Sequence, residues 1–253
     1  MPPLHLRLLP PSLTLALGLA LGFIAPPAAA FCVLYMGWVL LAERRLPFWL
    51  WWCGGLAGGI ALAAHLLPGF QPLALWSPRL LSPDAPPYGL RLSWDKLLLG
   101  LTLLAWWLGR PPVAQRKAWA AWPVAAATLL LVPPPALALG VVDWQPKWPQ
   151  GWWLWLVVNL SVAVLAEELL FRAWLQSALT ARLGAVAGIG LTALLFGAAH
   201  APFSPAFALV AGCAGLGYGL VFHLGARLWP AVALHGAVNT LHFLLLSYPL
   251  RAS

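Results

Sequence analysis

Charged and polar positions are so sparse in this 253-residue chain that it divides into long apolar runs with short polar breaks. The runs predict helices at Ser12–Ile24 and Ala28–Leu41, with Pro26-Pro27 between them making either one bent span or a hairpin. Further runs occupy Phe48–Leu67, Leu97–Leu108 and Ala118–Val142, the last interrupted by Pro133-Pro134-Pro135. The second half reads as Trp152–Arg182, Ala185–His200, Phe203–Leu224 and Leu228–Tyr248. Between runs lie the proline-rich loop Pro68–Asp95, the basic connection Arg110–Lys117 and the polar stretch Asp143–Gln150. The runs are apolar all round and do not alternate in polarity, which argues for helices rather than a β-barrel. The expected fold is an all-α, polytopic integral membrane helical bundle of about eight transmembrane helices.

Composition agrees. The chain is 62% hydrophobic and 8% charged, where a soluble domain carries about a quarter charged residues. Tryptophans cluster at the ends of runs, as at Trp49, Trp51 and Trp52, Trp106 and Trp107, and Trp144 to Trp155, the places where a bilayer meets water. A net charge of +8 raises nucleic acid as a partner, but the basic residues stand singly or in pairs at span ends. That placement speaks for topology and anionic lipid, and against nucleic acid. Arg7, Arg44, Arg45, Arg110, Arg116, Lys117, Arg182 and Arg227 can share one side if the N-terminal run is a hairpin, and that side would be cytoplasmic. Cys32, Cys53 and Cys213 match no disulfide or metal spacing and are expected to pack. The N-terminal apolar run is read as an uncleaved span, because another run follows at once.

Two carboxylates change the picture. Glu43, Asp84, Asp95 and Asp143 lie at span ends or in loops, whereas Glu167 and Glu168 follow sixteen uncharged residues, Gln150 to Leu165. An embedded charge is costly and usually faces the bundle interior. Glu168 and Arg172, at i and i+4, can pair on one helix face, and Glu167 points about 100° away, toward whatever a neighbouring helix offers. Candidates are Phe196 with His200, and His235 with Asn239, each pair at i and i+4. His242 follows on roughly the same face as His235, and His223 is read as interfacial. Gly212, Gly215 and Gly219 form a small-residue face for close helix approach.

Glu167-Glu168-Leu169-Leu170-Phe171-Arg172, Phe196-Gly197-Ala198-Ala199-His200 and His235-Gly236-Ala237-Val238-Asn239, in this order on separate apolar helices, resemble the CPBP family. This is the group of CAAX proteases and bacteriocin-processing enzymes, also called Abi, to which the Rce1-type prenyl-protein endopeptidases belong. Ala173 stands where the family commonly has glycine. The resemblance covers about Trp152 to Tyr248. It implies residues 151–253 as the catalytic core and residues 1–150 as N-terminal transmembrane helices and loops of one integrated membrane domain.

The implied activity is intramembrane endopeptidase cleavage of a membrane-associated peptide or protein, with the cell (plasma) membrane as the expected location. Peptide hydrolysis needs an activated water, a stabilised oxyanion and a proton for the leaving amine. Glu167, made more basic by desolvation, can take a proton from water, and His200 can hold that water. His235 and Asn239 can donate to the oxyanion. Glu168 and Arg172 support the helix face, with Phe196 beside His200. This mechanism requires Glu167, His200 and His235 to converge. It uses no cofactor; the alternative is zinc held by those same three residues. A non-catalytic immunity factor or scaffold is the alternative of another class, and a proton-coupled transporter is disfavoured because no inverted repeat is visible.

Overall fold

A computed structural model describes residues 2–111, 118–225 and 227–252, so Arg116 and Lys117 of the basic connection lie outside the described residues. Among the described residues there are eight helices: α1 Leu4–Ala20, α2 Pro26–Leu41, α3 Phe48–Ala63, α4 Trp94–Trp107, α5 Ala118–Ala138, α6 Trp152–Ala199, α7 Pro205–Gly225 and α8 Leu228–Leu245. The protein is an all-α helical bundle. Among the described residues, α5, α6, α7 and α8 are long and apolar enough to cross a membrane, and α1, α2 and α3 are shorter apolar helices. Many large apolar side chains face outward, among them Leu34, Leu130 and Val186, as lipid-facing surfaces require.

The helices belong to two compact units. The first holds residues 1–75, 91–112 and 161–170. Its central helix is α4, packed against α1, α2, α3 and the Leu165–Glu168 turn of α6. Leu99 and Leu103 are fully buried there. Expected as a short span, α4 has 14 residues and begins with charged Asp95 and Lys96, so its burial comes from surrounding helices. The Pro26-Pro27 question resolves as two helices, since α1 ends at Ala20 and α2 starts at Pro26, where proline at the first positions costs no hydrogen bond. Arg7 Nη1 donates to the Ala105 carbonyl at 2.6 Å, and Arg110 pairs with Glu43 beside Arg44 and Arg45. A two-strand ribbon, β1 Leu73–Ala74 with β2 Arg91–Leu92, is antiparallel with Leu73 opposite Leu92. Cys32 is buried, but Cys53 is exposed, as is Cys213 in the second unit, which corrects the expectation that all three pack.

The second unit holds residues 76–90, 113–160 and 171–253, and α7 is its centre, packed against α5, α8 and residues 185–199 of α6. Close approach is imposed by glycine. A Cβ on Gly197 would stand 2.7 Å from the Ala208 carbonyl oxygen, and one on Gly215 2.9 Å from the Phe196 ring. The small-residue face expected at Gly212, Gly215 and Gly219 is therefore a helix contact. Gly184 adopts φ 81° and ψ 167° and divides α6 into 152–183 and 185–199, matching the expected division between Arg182 and Ala185. The prolines at 133–135 do not end α5. Val132 keeps helical angles, Pro133 opens a new turn, and the helix stops before Gly140 at φ 65°.

The stretch Asp143–Gln150 is fastened to the C-terminus. Gln145 N–H donates to the Leu245 carbonyl and Lys147 N–H to the Leu244 carbonyl, while Ser247 N–H donates to Asp143. Lys147 Nζ donates to the Leu246 and Gln145 carbonyls. Burial lowers the Lys147 pKa from 10.5 to about 8, partly opposed by Asp84. Below about pH 8 the ammonium is charged in both states and the folded protein bears the burial cost. Between about 8 and 10.5 the unfolded chain holds more protons, so this residue makes stability rise with pH, and the rise ends above 10.5. Thermal unfolding in detergent across that window is expected to show the rise, flattened in Lys147→Met. An unchanged slope in the variant would mean that the folded ammonium stays solvated.

Candidate active site

Within the second unit a cavity of about 80 Å³ is lined by His200, His235 and Asn239, together with Phe196, Tyr218 and His242. The rest of its wall is largely apolar, contributed by α5, α7 and α8 through residues such as Leu129, Val210 and Leu241. Five of the residues singled out in the sequence, Phe196, His200, His235, Asn239 and His242, thus share one chamber.

His200 is the residue that ends α6. The last carbonyls of a helix lack intrahelical donors, and His200 Nδ1–H donates to one of them, Phe196 O, at 2.8 Å. A carbonyl only accepts, so Nδ1 carries the hydrogen and Nε2 presents a lone pair. The ring is flanked by Phe196 at 4.7 Å and Phe207 at 5.5 Å between centroids. His235 is 5% exposed and stacks on Tyr218 at 4.6 Å with 17° between planes. The Phe196 ring meets His235 edge-on at 5.8 Å. Asn239, one turn further along α8, donates from Nδ2 to Asn159 Oδ1 at 3.2 Å, which orients its amide.

Arg172 lies beneath the aromatic pair. It is 0% exposed, its Nη2 donates to the Gly215 carbonyl at 3.1 Å, and its guanidinium sits 4.6 Å from the Phe196 ring and 5.3 Å from that of Tyr218. Phe196 therefore touches Arg172, His200 and His235 at once. A helix wound i→i+5 over Leu169–Gln176, and another over Asn159–Val164, flank the Leu165–Glu168 turn. The uniform 3.6-residue winding expected of this stretch therefore does not extend through these two segments.

The two glutamates belong to the first unit. Glu168 is 0% exposed. Glu167 Oε1 pairs with Lys96 Nζ of α4 at 3.1 Å, so a neighbouring helix does supply a partner, a lysine. Sequence reasoning passed over Lys96, Asn159 and Tyr218. Asn159 carried a usable signal, being an amide within the uncharged stretch before the glutamates, where an unbonded polar group is costly. Lys96 was hidden in a span end, and Tyr218 among apolar neighbours. His223 is exposed at the end of α7, as expected. A zinc site would need three converging donors; among the described residues no group of three His, Cys, Asp or Glu side chains could hold a metal ion.

Comparison with known proteins adds one match. Residues 149–241 match the family described as type II CAAX prenyl endopeptidase Rce1-like, a segment containing all three motifs. No curated protein and no solved structure matches the chain. Residues 149–241 are thus similar to the Rce1-like family of CAAX proteases.

Proposed function

We propose that this protein is an integral membrane endopeptidase that hydrolyses a peptide bond in a membrane-associated substrate, with water activated by Glu167 and His200 and without a metal. The observation that carries the reading is the His200 imidazole. Its Nδ1–H is committed to the Phe196 carbonyl, so Nε2 is left to hold a water, in a cavity shared with His235 and Asn239. In the reaction Glu167 accepts one proton of the water, and the hydroxide oxygen bonds to the carbonyl carbon. The oxyanion takes hydrogen bonds from His235 and from the second amide hydrogen of Asn239. The C–N bond then breaks as the leaving amine takes up the proton. Residues 151–253 carry the motifs of this catalytic core, and the cell membrane is the proposed location.

The test compares membrane peptides in cells with and without the protein, then assays a peptide found to depend on it with purified protein. A specific uncleaved peptide is expected to accumulate in its absence, and prolonged chelation is expected to leave cleavage intact. Loss on chelation that zinc restores would make the histidines ligands and overturn the metal-free step. An unchanged peptide population would favour the immunity or scaffold reading.

A further inference from the structure

A cluster of charged side chains opens α4, outside the segment that matches the family. Asp95 is 3% exposed; its Oδ1 accepts the Lys96 backbone N–H at 2.9 Å and its Oδ2 takes a hydrogen bond from His65 Nδ1 at 2.7 Å. The N-terminus of a helix carries partial positive charge, which Asp95 complements and Lys96 does not. The lysine is therefore not explained by helix stability. Its place is explained by what it reaches: Nζ stands 3.1 Å from Glu167 Oε1, with the two side chains 21% and 17% exposed. Gly100, one turn along the same face of α4, packs against Ala166, where an added Cβ would lie 3.4 Å from the Ala166 Cβ. That close approach fixes the register in which α4 presents Lys96 to the residue after Ala166.

A glutamate in apolar surroundings takes up a proton rather than remain charged, and a protonated carboxyl cannot accept another from water. Resting on the reading of Glu167 as the base, we propose that Lys96 is the positioning residue that keeps Glu167 a carboxylate and holds its Oε1 in place. Asp95, steadied by His65, holds the start of α4 behind Lys96.

Infrared difference spectra of purified protein at neutral pH test this without a substrate. Wild type minus Glu167→Gln is expected to show a carboxylate band. Lys96→Met minus the double variant Lys96→Met/Glu167→Gln is expected to show instead the carbonyl band of a protonated carboxyl, and Lys96→Arg keeps the carboxylate band. If Lys96→Met does not purify, Lys96→Gln, which retains a donor for Oε1, takes its place. Cleavage of a peptide that depends on the protein is expected to fall about tenfold or more in kcat, with KM little changed, and to recover in Lys96→Arg. A carboxylate band persisting in the uncharged variant overturns the proposal. So does full activity of Lys96→Met beside an inactive Glu167→Gln, which leaves the hydrolytic reading intact. Full activity of Glu167→Gln sinks that reading and leaves the spectra to decide the ion pair.

Discussion

Glu167→Gln is expected to insert and accumulate normally while losing nearly all cleavage. Glutamine has the size of glutamate, and its amide oxygen still accepts from Lys96 Nζ, the contact seen at 3.1 Å. What it lacks is a lone pair basic enough to take a proton from water. A positioned general base contributes about 10²–10⁴-fold, and a loss of that size is expected here. Asn239→Ala is expected to cost about 10²–10³ in rate, as removal of one oxyanion donor does. Asn159→Ala is expected to cost less, because it frees the Asn239 amide to turn without removing it. The measurement is turnover per mole of folded protein, with abundance in membranes followed separately. Unchanged turnover in Glu167→Gln would return the motif to a structural role in a bundle.

Arg172→Ala has its effect on the fold. The guanidinium is fully buried, donates to the Gly215 carbonyl and lies over the Phe196 and Tyr218 rings. A desolvated cation–π contact is worth about 2 kcal/mol, and leaving a buried acceptor without its donor costs about 1–3 kcal/mol. A loss of about 3–5 kcal/mol follows, a large share of the stability of an ordinary domain. The consequence reaches the cavity, because Phe196, against which Arg172 lies, also contacts both histidines. Arg172→Lys is expected to recover only part, since an ammonium cannot lie flat on two rings. Arg172→Ala with normal abundance and an unshifted thermal midpoint would show the residue to be dispensable.

The spacing of the three motifs led to His200, His235 and Asn239, and the structure places all three on one cavity of the second unit. Spacing could do this because His200 ends one helix and His235 and Asn239 share a face of another, so each short motif needs only local helical geometry. The Gly184 break was legible for a similar reason: between Arg182 and Ala185 the apolar run is interrupted, and only glycine adopts φ 81° and ψ 167° freely. The change of winding at Leu169–Gln176 was not legible, since no residue in that run announces an i→i+5 turn.

By itself the sequence determined that the chain is a helical membrane protein, that its embedded charge is concentrated at Glu167, Glu168 and Arg172, and that the family motifs lie in its second half. Hydrophobic runs, helix period and residue type suffice for those statements, because a bilayer permits few backbone solutions. Tertiary structure alone decided the partners. Lys96 meets Glu167 across 71 positions, Asn159 orients Asn239 across 80, and Tyr218 covers His235 from another helix. Such pairings depend on which helix faces lie in contact. Those faces are set by glycines such as Gly100, Gly197 and Gly215, where the absence of a side chain lets another element approach and brings distant polar groups within hydrogen-bond reach.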